Sequence, residues 1–139
     1  MIDKAAILIK KAALEFEKVT NPIFAEYDLT ASQYKILKFL YASKSRSARL
    51  VDLEKEYSMT HPTAIGLVNT LEGKGFVART TNPDSARGKL IVLTEKADSM
   101  QEELLKLGDA VEDKLMERLT VDERAQLIDL LQKLLGLKS

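Results

Sequence analysis

Residues 50–94 constrain the fold more than any other stretch, because two short helical patterns are followed there by two short strand patterns. Leu50, Leu53 and Tyr57 recur at spacings of three and four residues, which predicts one face of a short helix. A second helical pattern begins only a few residues later. Two short helices joined by a turn of three or four residues are typical of a helix-turn-helix.

The second helix of this motif has one apolar face and one small, uncharged face. The Thr60 hydroxyl can cap its start, and Pro62 suits its first turn, where a missing N–H costs little. The predicted inward face holds Ala64, Leu67, Val68 and Leu71. The opposite face holds His61, Thr63, Gly66, Asn69 and Thr70. Gly73 and Gly75 are expected to end the helix.

Two strand-like runs, residues 76–80 and 89–93, follow the second helix and enclose a polar loop. The loop contains the turn signals Asn82-Pro83 and Gly88, with Arg87 near its end. This order predicts a winged helix-turn-helix. Such a unit can place its second helix in the major groove of DNA and its loop beside or in the minor groove.

The runs 71–77, 82–88 and 93–97 resemble the MarR family of bacterial winged-helix transcriptional regulators. The resemblance covers essentially the whole chain and implies a sequence-specific DNA-binding regulator, expected to be a ligand-responsive repressor. It departs from the family at Ser85, where the wing usually has Asp. It also departs at Gly66, where many relatives have Arg, and at Glu54, where a small residue is usual.

The fold class that we predict is mainly α with a small β-wing. Residues 1–139 form a single domain, in which a winged helix-turn-helix lobe at 30–96 is flanked by dimerisation helices at 1–27 and 97–139. The net charge is zero, but residues 31–96 carry 11 Lys and Arg against 6 Asp and Glu. The basic part of the chain therefore coincides with the predicted DNA-binding lobe, as attraction to phosphates requires.

The predicted DNA contacts come from the second helix and from the wing. We expect Asn69 to read adenine by two hydrogen bonds and threonines to touch thymine methyl groups, although Asn69 could be only a solvated polar residue. Arg87 is the expected wing-tip contact, and the lysines and Arg79 should lie near phosphates. The full predicted set is Thr60, His61, Pro62, Thr63, Gly66, Asn69, Thr70, Lys74, Arg79, Arg87 and Lys89.

Apolar residues in the first 23 positions recur at spacings of three and four, which predicts a long helix. We expect Asn21-Pro22 to bend or break it. The seam could pack on its own domain, but its position outside the winged motif favours a subunit interface. The predicted homodimer, which would bind a pseudo-palindromic operator, uses Ile2, Ala5, Ile9, Ala12, Leu127, Leu131 and Leu134.

Further helices are predicted between these flanks. Thr30 and Thr120 open capping boxes, and Thr94 is expected to cap a long helix that continues towards Leu119. Gly108 interrupts that helix without a stop signal, which suggests a close approach to another helix. Leucines of the last helix are expected to face inward, and residues 43–48 are expected to form a polar loop.

Several functions are disfavoured by composition. The chain has no cysteine and one histidine, so disulfides, thiol-based sensing and a zinc site are not expected. No catalytic constellation appears, so we predict no enzyme activity, no cofactor and no metal. The sequence shows neither a membrane-spanning run nor a signal peptide, which favours a cytoplasmic location. A winged-helix module that binds protein instead of DNA remains the alternative.

The resemblance also implies a small organic effector, often an aromatic carboxylate, bound where the dimer helices meet the winged lobe. Four aromatic residues lie around the Asn21-Pro22 bend and could line such a site: Phe16, Phe24, Tyr27 and Tyr34. The alternative is that these aromatics are core residues.

Overall fold

The computed structural model describes residues 4–81 and 89–137. In chain order its elements are α1 (Ala5–Ala25), α2 (Ala31–Ala42), β1 (Ser47–Arg49), α3 (Leu50–Tyr57), α4 (His61–Gly73), β2 (Val77–Thr81), β3 (Lys89–Leu93), α5 (Glu95–Ser99), α6 (Gln101–Leu115) and α7 (Val121–Leu134). The predicted fold class is confirmed: helices dominate, and a small antiparallel sheet carries the wing.

The hydrophobic core lies between α2, the helix-turn-helix, the sheet and α6. Its fully buried side chains include Leu37 and Leu40 of α2, Leu53 of α3, Leu71 of α4 and Leu104 of α6. The predicted capping box at Thr30 is present, because the Thr30 hydroxyl accepts from the Gln33 amide at 3.2 Å. The capping box fixes the start of α2, and burial of side chains in one common core holds α3 and α4 against α2.

The end of α4 confirms the predicted glycine stop. The Gly75 backbone has φ +84°, and its N–H donates to the Glu72 carbonyl at 3.0 Å. The Phe76 N–H donates to the Leu71 carbonyl at the same distance. These two bonds form a Schellman motif, in which a residue with positive φ reverses the chain at low cost. They direct the chain from α4 into β2.

The sheet contains one strand that the sequence did not predict. Its order is β1-β3-β2, and both pairings are antiparallel. β1 occupies residues that were expected to continue a polar loop. The strand has only three residues, of which Ala48 alone is buried, so it shows too short a pattern to be recognised. It forms only because β3 offers a free edge.

Of the predicted bend or break at Asn21-Pro22, the break does not occur, because α1 continues through Pro22 to Ala25. A proline inside a helix removes one N–H donor, and packing around it can offset that loss. Here Thr20 is buried and donates its hydroxyl to the Glu17 carbonyl at 3.2 Å. Phe24 is buried in the core on the next turn, which holds the helix end in place.

The helix predicted from Thr94 is divided in two. Thr94 caps α5 as expected and accepts from the Ala97 amide at 3.3 Å. At Met100 the N–H is shared between the Lys96 and Ala97 carbonyls, each at 3.2 Å. Such bifurcation is usual where a helix ends, and α6 starts directly afterwards. α6 itself ends at Leu115, before the predicted limit near Leu119.

Gly108 lies where a side chain of α2, that of Tyr34, meets the backbone of α6. A Cβ atom placed on Gly108 would lie 2.8 Å from the Tyr34 hydroxyl oxygen. That distance is too short for any real side chain. The absence of a side chain at position 108 therefore leaves the room that the Tyr34 ring occupies beside α6.

The terminal helices leave large apolar surfaces uncovered. Ile7, Leu8 and Leu14 of α1 are each about half exposed. The prediction that leucines of α7 face inward is wrong within this chain, because α7 has no buried residue. Contiguous exposed apolar surface of this kind usually marks an interaction site. None of the helices in the described ranges is long and apolar enough to cross a membrane.

Candidate nucleic-acid interface

Helix α4 is the candidate recognition helix, and its start is firmly capped. The Thr60 hydroxyl accepts from the Thr63 amide at 3.3 Å, and Pro62 lies in the first turn as predicted. Ala64, Val68 and Leu71 are fully buried, whereas Leu67 of the predicted inner face is only partly buried. The predicted outer residues of α4 are therefore exposed on a helix whose position is well determined.

The exposed residues of α4 divide into a crest and two flanks, because successive residues on an α-helix are rotated by about 100°. Pro62 and Gly66 form the crest. One flank carries Thr63 and Thr70. The other carries His61, Ile65 and Asn69, and it turns towards α3 and the sheet.

This second flank borders a groove with a volume of about 810 Å³, which we call the wing groove. It brings together residues from α3, α4, β2 and β3 that are distant in sequence. The wing groove is lined by Arg49, Leu50, Val51, Glu54, His61, Ile65, Asn69, Arg79, Lys89 and Ile91. Four predicted DNA-contacting residues are among them, namely His61, Asn69, Arg79 and Lys89.

Six of the ten residues that line the wing groove were not predicted as DNA contacts, among them Arg49 and Ile65. Arg49 donates to the Asp52 carboxylate at 3.0 Å, and this hydrogen bond raises the pKa of Arg49 and lowers that of Asp52. Arg49 thus keeps its charge in a defined position at the junction of β1 and α3. Its only sequence signal is the spacing to Asp52, whose carboxylate also accepts from the Arg49 backbone N–H at 3.0 Å.

The remaining charges of the wing groove are mainly positive. Lys89 begins β3 and is exposed, and Arg79 lies on β2. The single carboxylate is that of Glu54, whose Oε2 lies 3.2 Å from His61 Nδ1. This contact gives a reason for a glutamate at position 54, because its carboxylate holds the His61 imidazole at the start of α4. The predominance of cations favours a polyanion as the occupant of this face.

Arg79 and Asn69 are in direct contact. The Arg79 guanidinium donates a hydrogen bond to Asn69 Oδ1. Its other terminal nitrogen lies 3.9 Å from Glu72 Oε1. Because Asn69 and Glu72 are one turn apart on α4, the two contacts hold the Arg79 side chain along the recognition helix.

The threonine hydroxyls have internal partners. Thr70 donates to the Gly66 carbonyl at 2.9 Å, and Thr60 donates to the Thr63 hydroxyl oxygen at 3.0 Å. Their methyl groups and oxygen lone pairs remain available to a ligand. The crest is open, since a Cβ placed on Gly66 would meet no heavy atom within 4 Å among the described residues.

Comparison with known proteins decides the family of this chain. The model of the MarR family matches residues 29–89, which span the structure from the cap of α2 to the start of β3. The multiple antibiotic resistance protein MarR of Escherichia coli is 31% identical over 120 residues, which are 86% of this chain and 82% of that protein. The chain belongs to the MarR family.

Solved structures of MarR proteins have the same fold. A cysteine-to-serine mutant of E. coli MarR, complexed with operator DNA, superposes with a TM-score of 0.84 at 30% identity. The alignment covers 94% of this chain and 92% of that one. The S. aureus MepR–DNA complex gives a TM-score of 0.86 at 25% identity, with coverage of 99% and 100%.

Lys74 does not lie where a phosphate contact was predicted. Its ammonium group donates to Gln33 Oε1 at 3.0 Å and to the Asp28 carbonyl. Only 23% of its side chain is exposed. Lys74 therefore ties the end of α4 to the start of α2, because both partners belong to its own chain. Arg87 and Ser85 lie outside the described residues.

The four aromatic residues of the predicted ligand site lie in different environments. Phe24 and Tyr34 are buried and stack on each other, with ring centroids 4.5 Å apart. Tyr27 donates its hydroxyl to Glu103 at 2.6 Å, and this bond raises the pKa of Tyr27. Phe16 is exposed on α1. The structure thus favours a packing role for Phe24 and Tyr34 over the predicted ligand site.

A second groove of about 550 Å³ does lie beside Pro22, between α1 and α6. None of the four aromatic residues lines it. Its lining consists of Glu15, Lys18, Val19, Pro22, Ile23, Ala110 and Lys114. Within the described ranges there is no cluster of three or more His, Asp or Glu residues arranged to hold a metal ion.

Proposed function

We propose that this MarR-family protein is a sequence-specific DNA-binding transcriptional regulator that acts as a homodimer. The observation that carries the proposal is the joint surface of α4 and the wing groove. An exposed recognition helix with small, uncharged residues lies directly beside three cations, Arg49, Arg79 and Lys89. A small, polar helix face can enter the major groove, and cations at its side can bind phosphates.

Each part of this surface has a role in the proposal. Thr63 and Thr70 offer methyl groups to thymine on one flank of α4, while Asn69 faces base edges on the other. His61 lies near the phosphates at the helix start. Arg87 is proposed as the wing contact in or beside the minor groove, as expected from the sequence. Lys74 is left out, because its ammonium group has internal partners.

The homodimer is supported by the uncovered apolar surfaces of α1 and α7. Ala5, Ile9 and Ala12 of the predicted interface are exposed on α1, and Leu134 is exposed on α7. Leu127 and Leu131 are partly exposed, and Ile2 lies outside the described residues. A two-fold dimer would present two α4 helices about 34 Å apart, which calls for a pseudo-palindromic operator. Two relatives of at least 25% identity were solved with bound DNA.

The test is a binding titration with DNA from upstream of the protein's own gene, against a scrambled duplex, at stated salt. We expect preferential binding to the upstream DNA. We also expect log K to fall with log salt at a slope of about −0.9 for each phosphate contacted. Equal and weak binding to both duplexes would favour the alternative, a winged-helix module for protein partners.

Gly66 provides a matched pair of variants for the same assay. Gly66→Arg should bind DNA more tightly and steepen the salt slope by about one, because the crest has room for a side chain and gains a cation. Gly66→Ala should leave the slope unchanged and raise stability by about 1 kcal/mol, since alanine favours the helix. If Gly66→Arg bound DNA no better than Gly66→Ala, we would conclude that the crest does not face the DNA.

We further propose that a small aromatic carboxylate can act as an effector by occupying the wing groove. The groove combines cations with an aliphatic floor that includes Leu50, Ile65 and Ile91. Because it lies beside α4, such an anion would compete with DNA directly. Salicylate titrated to millimolar levels should raise the apparent Kd for DNA in proportion to its concentration, without a plateau. A plateau would point to a site elsewhere, such as the groove beside Pro22, because a ligand at a distant site changes the affinity for DNA only by a fixed coupling factor.

A further inference from the structure

Asn69 is held in one orientation by its neighbour on β2. Arg79 carries only hydrogen-bond donors, so the atom of Asn69 that faces it must be the acceptor Oδ1. The carboxamide is planar, which directs the Nδ2 amino group to the opposite side. Among the described residues, no hydrogen-bond partner of Nδ2 is found. The exposed part of the Asn69 side chain is therefore its donor.

The orientation of Arg79 is itself determined by α4. Its guanidinium contacts Asn69 with one terminal nitrogen and lies 3.9 Å from Glu72 with the other. Rotation of the Asn69 amide would bring two donors together and leave the guanidinium without its acceptor. That arrangement is disfavoured, since a charged donor gains more from an oxygen acceptor than a neutral one does.

This orientation conflicts with the reading of adenine that the sequence suggested. In the major groove adenine offers one acceptor, N7, and one donor, the N6 amino group. An asparagine pairs with both through its Oδ1 and Nδ2. The Arg79 guanidinium already occupies one of the two lone pairs of Oδ1, so an adenine N6 amino group on the same oxygen would lie beside a second set of donors, one of them charged. Guanine offers two acceptors, O6 and N7, which a free amino group alone can contact.

We propose that Arg79 determines the base preference of the recognition helix by holding Asn69 Oδ1 against its guanidinium, so that the pair presents donors to the base and selects guanine over adenine. The inference rests on the proposed DNA-binding function and names a specificity-determining pair within it. Asn69 is the residue that contacts the base. Arg79 is a positioning residue that acts through Asn69 and also keeps its charge near the phosphates.

The experiment first identifies the base pair that Asn69 reads. Single-base variants of the operator are titrated with wild type and with Asn69→Ala, and the position whose preference disappears is the contacted one. Wild type should prefer guanine over adenine there by on the order of tenfold, which is typical of one good base contact. Arg79→Met frees Oδ1, so the preference should fall to parity or reverse in favour of adenine.

Lys89→Met is the matched control, because it removes one cation from the same groove without touching Asn69. It should weaken binding to all duplexes uniformly and leave the guanine preference unchanged. Arg79→Lys should largely retain the preference, since an ammonium group also faces only an acceptor. Thermal melts of the free variants show that each is folded.

The outcomes separate the inference from the function on which it rests. If wild type shows no preference for the upstream DNA, the proposed function itself fails. If wild type binds specifically but Arg79→Met only weakens binding, with the guanine preference intact, the positioning role is overturned. A wild-type preference for adenine at the Asn69 position, or no position that responds to Asn69→Ala, overturns it as well.

Discussion

A Leu130→Glu, Leu134→Glu double variant is expected to be monomeric and to lose operator binding by roughly a hundredfold or more. Leu130 and Leu134 are 62% and 61% exposed and lie one turn apart on α7. Two carboxylates placed in an apolar subunit interface would each have to be desolvated without a partner, which is costly. A monomer would also lose the advantage of two linked half-site contacts, typically a factor of about 100 to 10,000.

Sedimentation equilibrium and DNA titration of the same samples check this prediction. The winged lobe itself should still fold, because α7 has no buried residue. Ala125→Glu is the control, since it adds a charge to the polar side of the same helix and should leave the dimer intact. A double variant that remains dimeric, or that binds the operator as a monomer with undiminished affinity, would show that α7 is not part of the interface.

The largest expected effect on stability arises at the contact between Gly108 and Tyr34. Gly108→Ala should destabilise the protein by about 1–3 kcal/mol, because the new Cβ would lie 2.8 Å from the Tyr34 hydroxyl oxygen. The Tyr34 ring is buried and stacked on Phe24, so it has little room to move. Burial also raises the pKa of Tyr34, so the hydroxyl stays protonated near neutral pH.

Removing the Tyr34 hydroxyl should reverse the sign of the stability change that Gly108→Ala causes. Tyr34→Phe alone is expected to be nearly neutral or slightly stabilising, because among the described residues the buried oxygen has no hydrogen-bond partner within normal distance and angle limits and meets only the Gly108 backbone, in a poorer geometry. In that background Gly108→Ala should stabilise by up to about 1 kcal/mol through helix propensity. Urea unfolding at one fixed protein concentration measures all four variants. Additive effects would show that the two residues do not interact.

The order of the winged motif could be predicted from the sequence because its signals are local. The Thr30, Thr60, Thr94 and Thr120 caps each involve an amide three residues further along the chain. The chain reversal at Gly75 likewise requires only the last turn of α4. Patterns of three and four residues identify a buried helix face without any knowledge of what covers it.

The chemical roles within the site depended on contacts between distant elements. Lys74 looked like a phosphate ligand until Gln33, 41 residues earlier in the chain, was seen to accept its hydrogen bond. Ile65 was not predicted as a groove residue, because its neighbours there come from α3 and the sheet.

What the sequence by itself determined is therefore the family, the fold class and the set of residues exposed on α4. Only the tertiary structure decided that β1 completes the sheet, that α1 passes through Pro22, and that Arg79 faces the Asn69 oxygen. The physical reason is the same in each case. Helix caps and periodic patterns act over three to five residues, whereas strand pairing, core packing and the orientation of an amide depend on partners that only folding brings together.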